Sequence, residues 1–287
     1  MTDVLEACIE SYISVITRLD RVIHLLHETP MSDFDWEMKE DAAAFVSGSQ
    51  RARVWTEGWV LRQMYCPSCG EKPLLDYINN KPVADFYCGL CAEDFELKST
   101  KGKFGKKITD GAYATMMSRL QSDSVPSLML LRYTAQDKMV QDLSVIPKQF
   151  FVTDLIERRK PLSQNARREG WVGCNILIDK VPKAGRIDLV TSRVATPKET
   201  VVRKWSKTAF LRGQSLSKKG WVLDLLSCVV HIGQSEFTLD DVYKFENYLS
   251  ELHLENNHVK PKIRQQLQVL RDAGVLEFVS RGRYRVV

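Results

Sequence analysis

Two groups of residues between positions 66 and 98 have the types and spacing from which chemistry can be built. The first is a set of four cysteines. Cys66-Pro-Ser-Cys69 and Cys88-Gly-Leu-Cys91 are separated by eighteen residues. Two such pairs let four thiolates converge tetrahedrally on one ion, with Gly70 and Gly89 easing the turn of each knuckle. Four sulfurs without a nearby histidine suit a closed, structural Zn2+ site, although an iron–sulfur cluster takes the same ligands. Cys8, Cys174 and Cys228 lie in apolar sequence and read as ordinary buried thiols.

The second group is Asp85, Glu96 and Lys98. Asp85 falls on a short apolar strand, residues 82–87, that begins at Pro82. Glu96 and Lys98 share one face of the next strand, while Phe95 and Leu97 point to the other. The cysteine turn between them closes a hairpin that brings Asp85 beside Glu96. Two carboxylates and the Leu97 carbonyl can hold Mg2+ against a phosphate oxygen, and Lys98 can orient or help deprotonate the attacking water. The same spacing also fits three surface charges on a hairpin. The run Lys101, Lys103, Lys106 and Lys107 that follows would attract phosphates, which favours the chemical reading.

The elements that must position these groups are those of an α/β protein, a mixed sheet with flanking helices. Strands are expected at residues 95–97, 128–133, 143–146, 174–178 and 187–190. A helix is expected at 109–120, with Thr109 as N-cap and Tyr113, Met116, Met117 and Leu120 on one face. Residues 4–27 show helical periodicity, and 29–49 read as a polar connector. After residue 212 the pattern changes to helices at 221–232, 238–252 and 261–273, with Gly274 past the end of the last, then strands at 275–279 and 283–287. Three helices and a terminal hairpin are the layout of a winged helix-turn-helix. The expected divisions are an acidic helical extension (1–49), an α/β domain with the zinc knuckle (50–212) and the winged helix (213–287).

The chain has 287 residues, 44% hydrophobic and 27% charged, enough for one large or two ordinary domains. Its net charge of +5 hides a division: residues 1–50 carry −7 and residues 51–287 carry +12. A basic body suits nucleic acid. No apolar run approaches the roughly 18 residues a bilayer span needs, and the acidic start is unlike a secretory signal, so a cytoplasmic protein without a membrane partner is expected.

With Pro82-Val-Ala-Asp85-Phe-Tyr-Cys and Glu96-Leu-Lys98, the sequence resembles the PD-(D/E)xK nuclease superfamily. Further stretches narrow the resemblance to the DpnI-like methyl-directed restriction endonucleases. These are Cys66-Pro-Ser-Cys69, the run from Asp110 to Met117, Gly170-Trp-Val-Gly-Cys-Asn175, Ile263-Arg-Gln-Gln-Leu-Gln268 and Arg281-Gly-Arg-Tyr-Arg285. The resemblance implies a restriction-endonuclease-like core followed by a winged helix, both reading double-stranded DNA methylated on adenine. It further implies Mg2+-dependent cleavage at GATC sites carrying N6-methyladenine and a structural zinc. Asp85, Glu96 and Lys98 match its catalytic motif, and the four cysteines its zinc ligands. Residues 1–46 are a longer acidic leader than the family requires.

The DNA-reading residues follow from helix and hairpin geometry. Ile263, Leu267 and Leu270 form the inward stripe of the last helix, leaving Lys262, Arg264, Gln265, Gln266 and Gln268 outside to meet base edges. Arg281, Arg283 and Arg285 on the hairpin can meet phosphates. In the α/β part, Arg167 and Arg168 can hold phosphates. Trp171 is the candidate for the apolar surface that a methyl reader needs, and the same residue fits a core position equally well. A monomer is expected. The rival reading is a zinc-containing winged-helix regulator that binds DNA without cutting it.

Overall fold

The computed structural model describes residues 34–77 and 84–287. The helix expected at 4–27, Cys8 and Pro82 lie outside them. The first element is one the hydrophobic pattern does not announce: helix α1 (Gly48–Gln63) buries Thr56, Trp59, Val60 and Gln63, a correct helical stripe in which two of the four members are polar. The preceding segment is packed rather than a free connector. Met38 is fully buried, its N–H bonds to the Lys138 carbonyl, Trp36 stacks on Trp59, and Glu40 pairs with Arg62.

Two short strands, β1 (Leu75–Asp76) and β2 (Phe86–Tyr87), lead into β3 (Asp94–Thr100). Next come β4 (Ile108–Ala112) and helix α2 (Tyr113–Gln121). The helix expected from Thr109 therefore starts four residues later. Thr109 sits in a strand, because the β-branched Ile108 and Thr109 pair with Ile176 and Asn175, and Ala112 stands at the N-cap. Strands β5 (Ser127–Thr134), β6 (Met139–Ile146), β7 (Ile156–Arg158), β8 (Gly173–Ile176), β9 (Ile187–Thr191) and β10 (Val194–Ala195) complete the α/β part, closed by helix α3 (Lys198–Ser206). The main sheet has the order β1-β2-β3-β5-β6-β9-β10, antiparallel except for the parallel pair β3·β5. A second sheet has the order β4-β8-β7.

Both faces of the main sheet are covered, which is why β5 reads as a continuous apolar run. Thr56 of α1 reaches Ser99 on β3, and Trp205 of α3 meets Phe95 edge-on. Leu128 and Leu130 of β5 join the opposite cluster, with Met116, Phe150, Phe151 and helix α4 (Leu216–Ile232).

Helix α4 opens the C-terminal part, whose remaining elements are β11 (Glu236–Thr238), α5 (Leu239–Tyr243), α6 (Glu246–Leu252), α7 (Val259–Asp272), β12 (Leu276–Ser280) and β13 (Arg283–Val286). The single helix expected at 238–252 is two, broken where Phe245 turns against His231. Thr238 begins α5 with a capping box to Asp241. The wing is a three-stranded sheet, β11-β13-β12, with Gly282 at φ +72 in its turn. Apolar burial is continuous between the two parts: Trp221, Leu225 and Leu226 of α4 belong to one cluster with Leu155, Ile178 and Leu267. Among the described residues, no helix is long and apolar enough to cross a membrane.

Candidate functional site

The four cysteines meet. Their Sγ atoms all lie within 4.8 Å of one another, with Cys66 to Cys91 and Cys69 to Cys88 each at 3.6 Å. The two knuckles repeat one backbone design. Gly70 N–H bonds to Cys66 C=O and Ala92 N–H to Cys88 C=O. The amides of Cys66 and Cys88 in turn bond to the carbonyls of Glu71 and Glu93. The left-handed residues are Gly70 (φ +82) and Ala92 (φ +56). This corrects Gly89 as the glycine that eases the second turn: the position needing positive φ is the one after the second cysteine. Burial pushes the Cys66 thiol up, so a bound cation would have to drive its proton off. The cluster can hold a zinc ion. Cys174 and Cys228 are buried thiols.

The hairpin joining the knuckle strands places the acidic group. β2 pairs with β3 through Phe86 and Phe95, and the Asp85 N–H bonds to the Phe95 carbonyl at 2.9 Å. β2 then ends, so β3 has a free edge beyond that point. There the Leu97 N–H donates to Asp85 Oδ2 at 2.7 Å. A strand residue's N–H and C=O point to the same side, so the Leu97 carbonyl faces the same edge as Asp85. Glu96 Oε1 lies 2.6 Å from Lys98 Nζ, as strand alternation requires. Lys98 Nζ also donates to Asp110 Oδ1 of β4 at 2.8 Å.

Burial disfavours the Glu96 anion and raises its pKa, with Lys98 opposing and Asp110 adding to the shift. Burial acts against the Lys98 ammonium, but the carboxylates of Glu96 and Asp110 outweigh it and raise that pKa, so Lys98 is a held cation. Two carboxylates and a carbonyl bordering one cleft, all oxygen donors, fit a hard divalent cation.

The cleft over this edge, about 240 Å³, is closed on its other side by Ser49, Arg53, Thr56 and Glu57 of α1. Arg53 bonds to Glu57 and comes within 3.6 Å of Asp85 Oδ1. Burial raises the Glu57 pKa, with Arg53 opposing and Asp85 adding to the rise. Arg53, Glu57 and Asp110 are site residues that the sequence reading missed. The i, i+4 spacing of Arg53 and Glu57 was the signal for the first two. Asp110 stands first in the run from Asp110 to Met117 that carries the resemblance, but no site role follows from that run, because a helix was expected over it.

The remaining candidates are spread more widely. Lys101, Lys103, Lys106 and Lys107 are exposed on the loop from β3 to β4, and Lys107 pairs with Glu157. Arg167 and Arg168 are exposed, and the Arg168 guanidinium stands 4.7 Å from the centre of the half-buried Trp171 ring. On α7, Lys262, Arg264, Gln265 and Gln268 lie outside the buried stripe as expected, with Arg264 bonded to Tyr243 Oη and Lys262 to Gln265. Gln266 does not: it is 4% exposed. It stands three residues after Ile263 and one before Leu267, which puts it on the inward stripe. Arg281 and Arg283 are exposed, whereas Arg285 is held between Glu236 and Glu277. Its charge is largely spent within the wing.

Residues 33–214 match the model of the DpnI, or Dam-replacing, family, and residues 217–286 match that of the Dam-replacing HTH domain. The matched stretches together span the knuckle, the acidic edge and the winged helix. The chain therefore belongs to the Dam-replacing family.

Proposed function

We propose that the chain is a methylation-dependent type II restriction endonuclease that hydrolyses double-stranded DNA at GATC sites carrying N6-methyladenine. Family membership supports a restriction endonuclease acting on DNA. The observation that carries the assignment is the β3 edge, where Asp85, Glu96 and the Leu97 backbone lie beside a lysine held by two carboxylates. Mg2+ bound by Asp85, Glu96 and the Leu97 carbonyl would polarise the scissile phosphate and lower the pKa of the attacking water. Lys98 holds that water in line and offsets developing negative charge. Zinc in the Cys66, Cys69, Cys88, Cys91 cluster fixes the hairpin from which Asp85 and Glu96 project.

The exposed lysines between β3 and β4 draw the backbone toward the cleft. Lys262, Arg264, Gln265 and Gln268 on α7 supply base contacts, and Arg281 and Arg283 phosphate contacts. An N6-methyl group removes one major-groove donor of adenine and adds an apolar surface. Trp171, half-buried and backed by Arg168, offers the matching apolar face.

Incubation with Mg2+ and plasmid from methylating or non-methylating hosts tests the reading. Cleavage of the methylated plasmid alone is the expected outcome. Cleavage of both keeps the nuclease and removes methyl dependence. Tight binding without cleavage of either would support the regulator instead.

A further inference from the structure

We infer that Asp110 is the positioning residue that seats Lys98, an inference that rests on the nuclease reading of the Asp85, Glu96, Lys98 edge. Lys98 Nζ has two carboxylate partners, Glu96 Oε1 at 2.6 Å and Asp110 Oδ1 at 2.8 Å. They are not equivalent. Glu96 lies two residues away on the same strand and is itself a candidate ligand, so its oxygens have another task. Asp110 comes from the other sheet, and its side chain is 8% exposed where that of Lys98 is 25%. A four-carbon amine tethered at one end can sweep the cleft. A second acceptor from a separate element fixes where its nitrogen stands, and Asp110 alone is free to serve Lys98 throughout.

The position of Asp110 is set by the strand that carries the proposed reading surface. β4 pairs with β8 through Asp110 and Cys174, then shifts register across a bulge at Gly111 to pair Ala112 with Gly173. The bulge is tied on both sides: the Cys174 thiol reaches the Gly111 carbonyl at 3.5 Å, and the Tyr113 N–H reaches the Val172 carbonyl at 3.1 Å. Immediately before this, the Trp171 ring rests on Gly173, so closely that a Cβ there would lie 2.8 Å from it. The second anchor of Lys98 is therefore fixed to the same strand end that presents Trp171 and Arg168. No bond is made or broken by Asp110; it holds the lysine in one place.

The test compares the full chain with Asp110→Ala and Asp110→Asn. Three quantities are measured: single-turnover cleavage of methylated duplex with Mg2+, duplex affinity in EDTA, and the Lys98 ammonium signal in the 1H–15N spectrum of the protein with Mg2+, assigned by its loss in Lys98→Arg. Asp110→Ala should cut roughly 100-fold more slowly at saturating duplex, the scale of misplacing a catalytic group. Its affinity should stay within about twofold, and the Lys98 signal should vanish into fast exchange with water. Asp110→Asn, which keeps an oxygen acceptor, should regain the signal and most of the rate. An alanine variant that cuts at the wild-type rate, or keeps the signal, overturns the proposal. So does a loss that appears in affinity and is not rescued by asparagine. If the wild-type chain cuts no duplex, the nuclease reading falls and takes this proposal with it; wild-type cleavage with an unimpaired alanine variant removes the proposal alone.

Discussion

Lys219 Nζ lies 3.0 Å from Asp123 Oδ1, and the pair joins helix α4 of the winged-helix part to the turn that follows α2 of the α/β part. The lysine side chain is 3% exposed and the aspartate 62%. The ammonium is thus sunk in the seam with its counter-charge at the opening. Asp123→Ala should destabilise the chain by about 1–3 kcal/mol, less than the about 3–5 kcal/mol of a fully buried pair because water can reach the opening. Lys219→Met should recover most of that loss in the Asp123→Ala background. Chemical denaturation of the wild type, Asp123→Ala and the double variant checks both. A change under about 0.5 kcal/mol for Asp123→Ala, the size of an ordinary surface substitution, would show that the pair is incidental.

At the acidic edge, Asp85→Ala and Lys98→Ala are each expected to lower cleavage by about 10³-fold or more while leaving duplex affinity in EDTA near that of the wild type. Full-rate cleavage by either variant would remove that residue from the site.

Disturbing the seat of Trp171 tests the proposed reading surface. Gly173 has no positive φ, so Gly173→Ala introduces only a methyl where the Trp171 ring stands 2.8 Å away. Displacing the indole should reduce the preference for methylated over unmethylated duplex by about tenfold, the lower end of what one methyl group is worth in an apolar pocket. Measurement of kcat/KM on both duplexes decides. An unchanged ratio would mean that Trp171 does not sense the methyl group.

The matched knuckles carry different residues at their left-handed position, and the difference has a sign. Ala92 adopts the left-handed backbone that Gly70 adopts without strain. Ala92→Gly should therefore stabilise the chain by up to about 1 kcal/mol, and Gly70→Ala should destabilise it by about the same amount. Cys66→Ser should release zinc, read by atomic emission, and lower Tm. Retention of full stability by a zinc-free variant would refute a structural ion.

A pH dependence resides in the α5 cap. The Lys244 ammonium bonds to Asp241 at 2.8 Å, and the Thr238 hydroxyl and N–H bond to it at 2.7 and 2.9 Å. Together they hold its carboxyl well below the usual range. A carboxyl depressed in the folded state stabilises above its unfolded pKa, near 4, and that contribution disappears as pH falls through the folded value. Asp241→Ala should lower Tm at pH 7, as loss of a helix cap does, and lower it progressively less below about pH 4. A cost independent of pH would assign the effect to helix propensity instead.

What could be read from the sequence was what depends on short spacing. The cysteine pairs, the hairpin between them and the alternation of Phe95, Glu96, Leu97 and Lys98 are local, and a few residues suffice to specify them. Helix α1 was illegible because Thr56 and Gln63 stand on its inward stripe. Thr56 is tolerated there because its hydroxyl is satisfied by the Ala52 carbonyl and Ser99, and no apolarity scale registers a partner 43 residues away. β4 was mistaken for helix because its pairing with β8 overrides the local helical pattern of the residues after it. Gln266 was misplaced for a simpler reason: a polar residue on the inward stripe was counted by type and not by position.

The apolar cluster shared by α4 and the α/β part bears on how such a protein can change over time. Trp221, Leu225 and Leu226 are covered by Phe150, Phe151, Leu155 and Ile178 across the junction. A new sequence specificity cannot arrive by exchanging the C-terminal part as a cassette, because a transplanted winged helix would expose that face and the abandoned sheet would expose the other. Under the proposed reading, new specificity would instead come by single substitutions on the outward side of α7 and around Trp171, with the seam inherited intact.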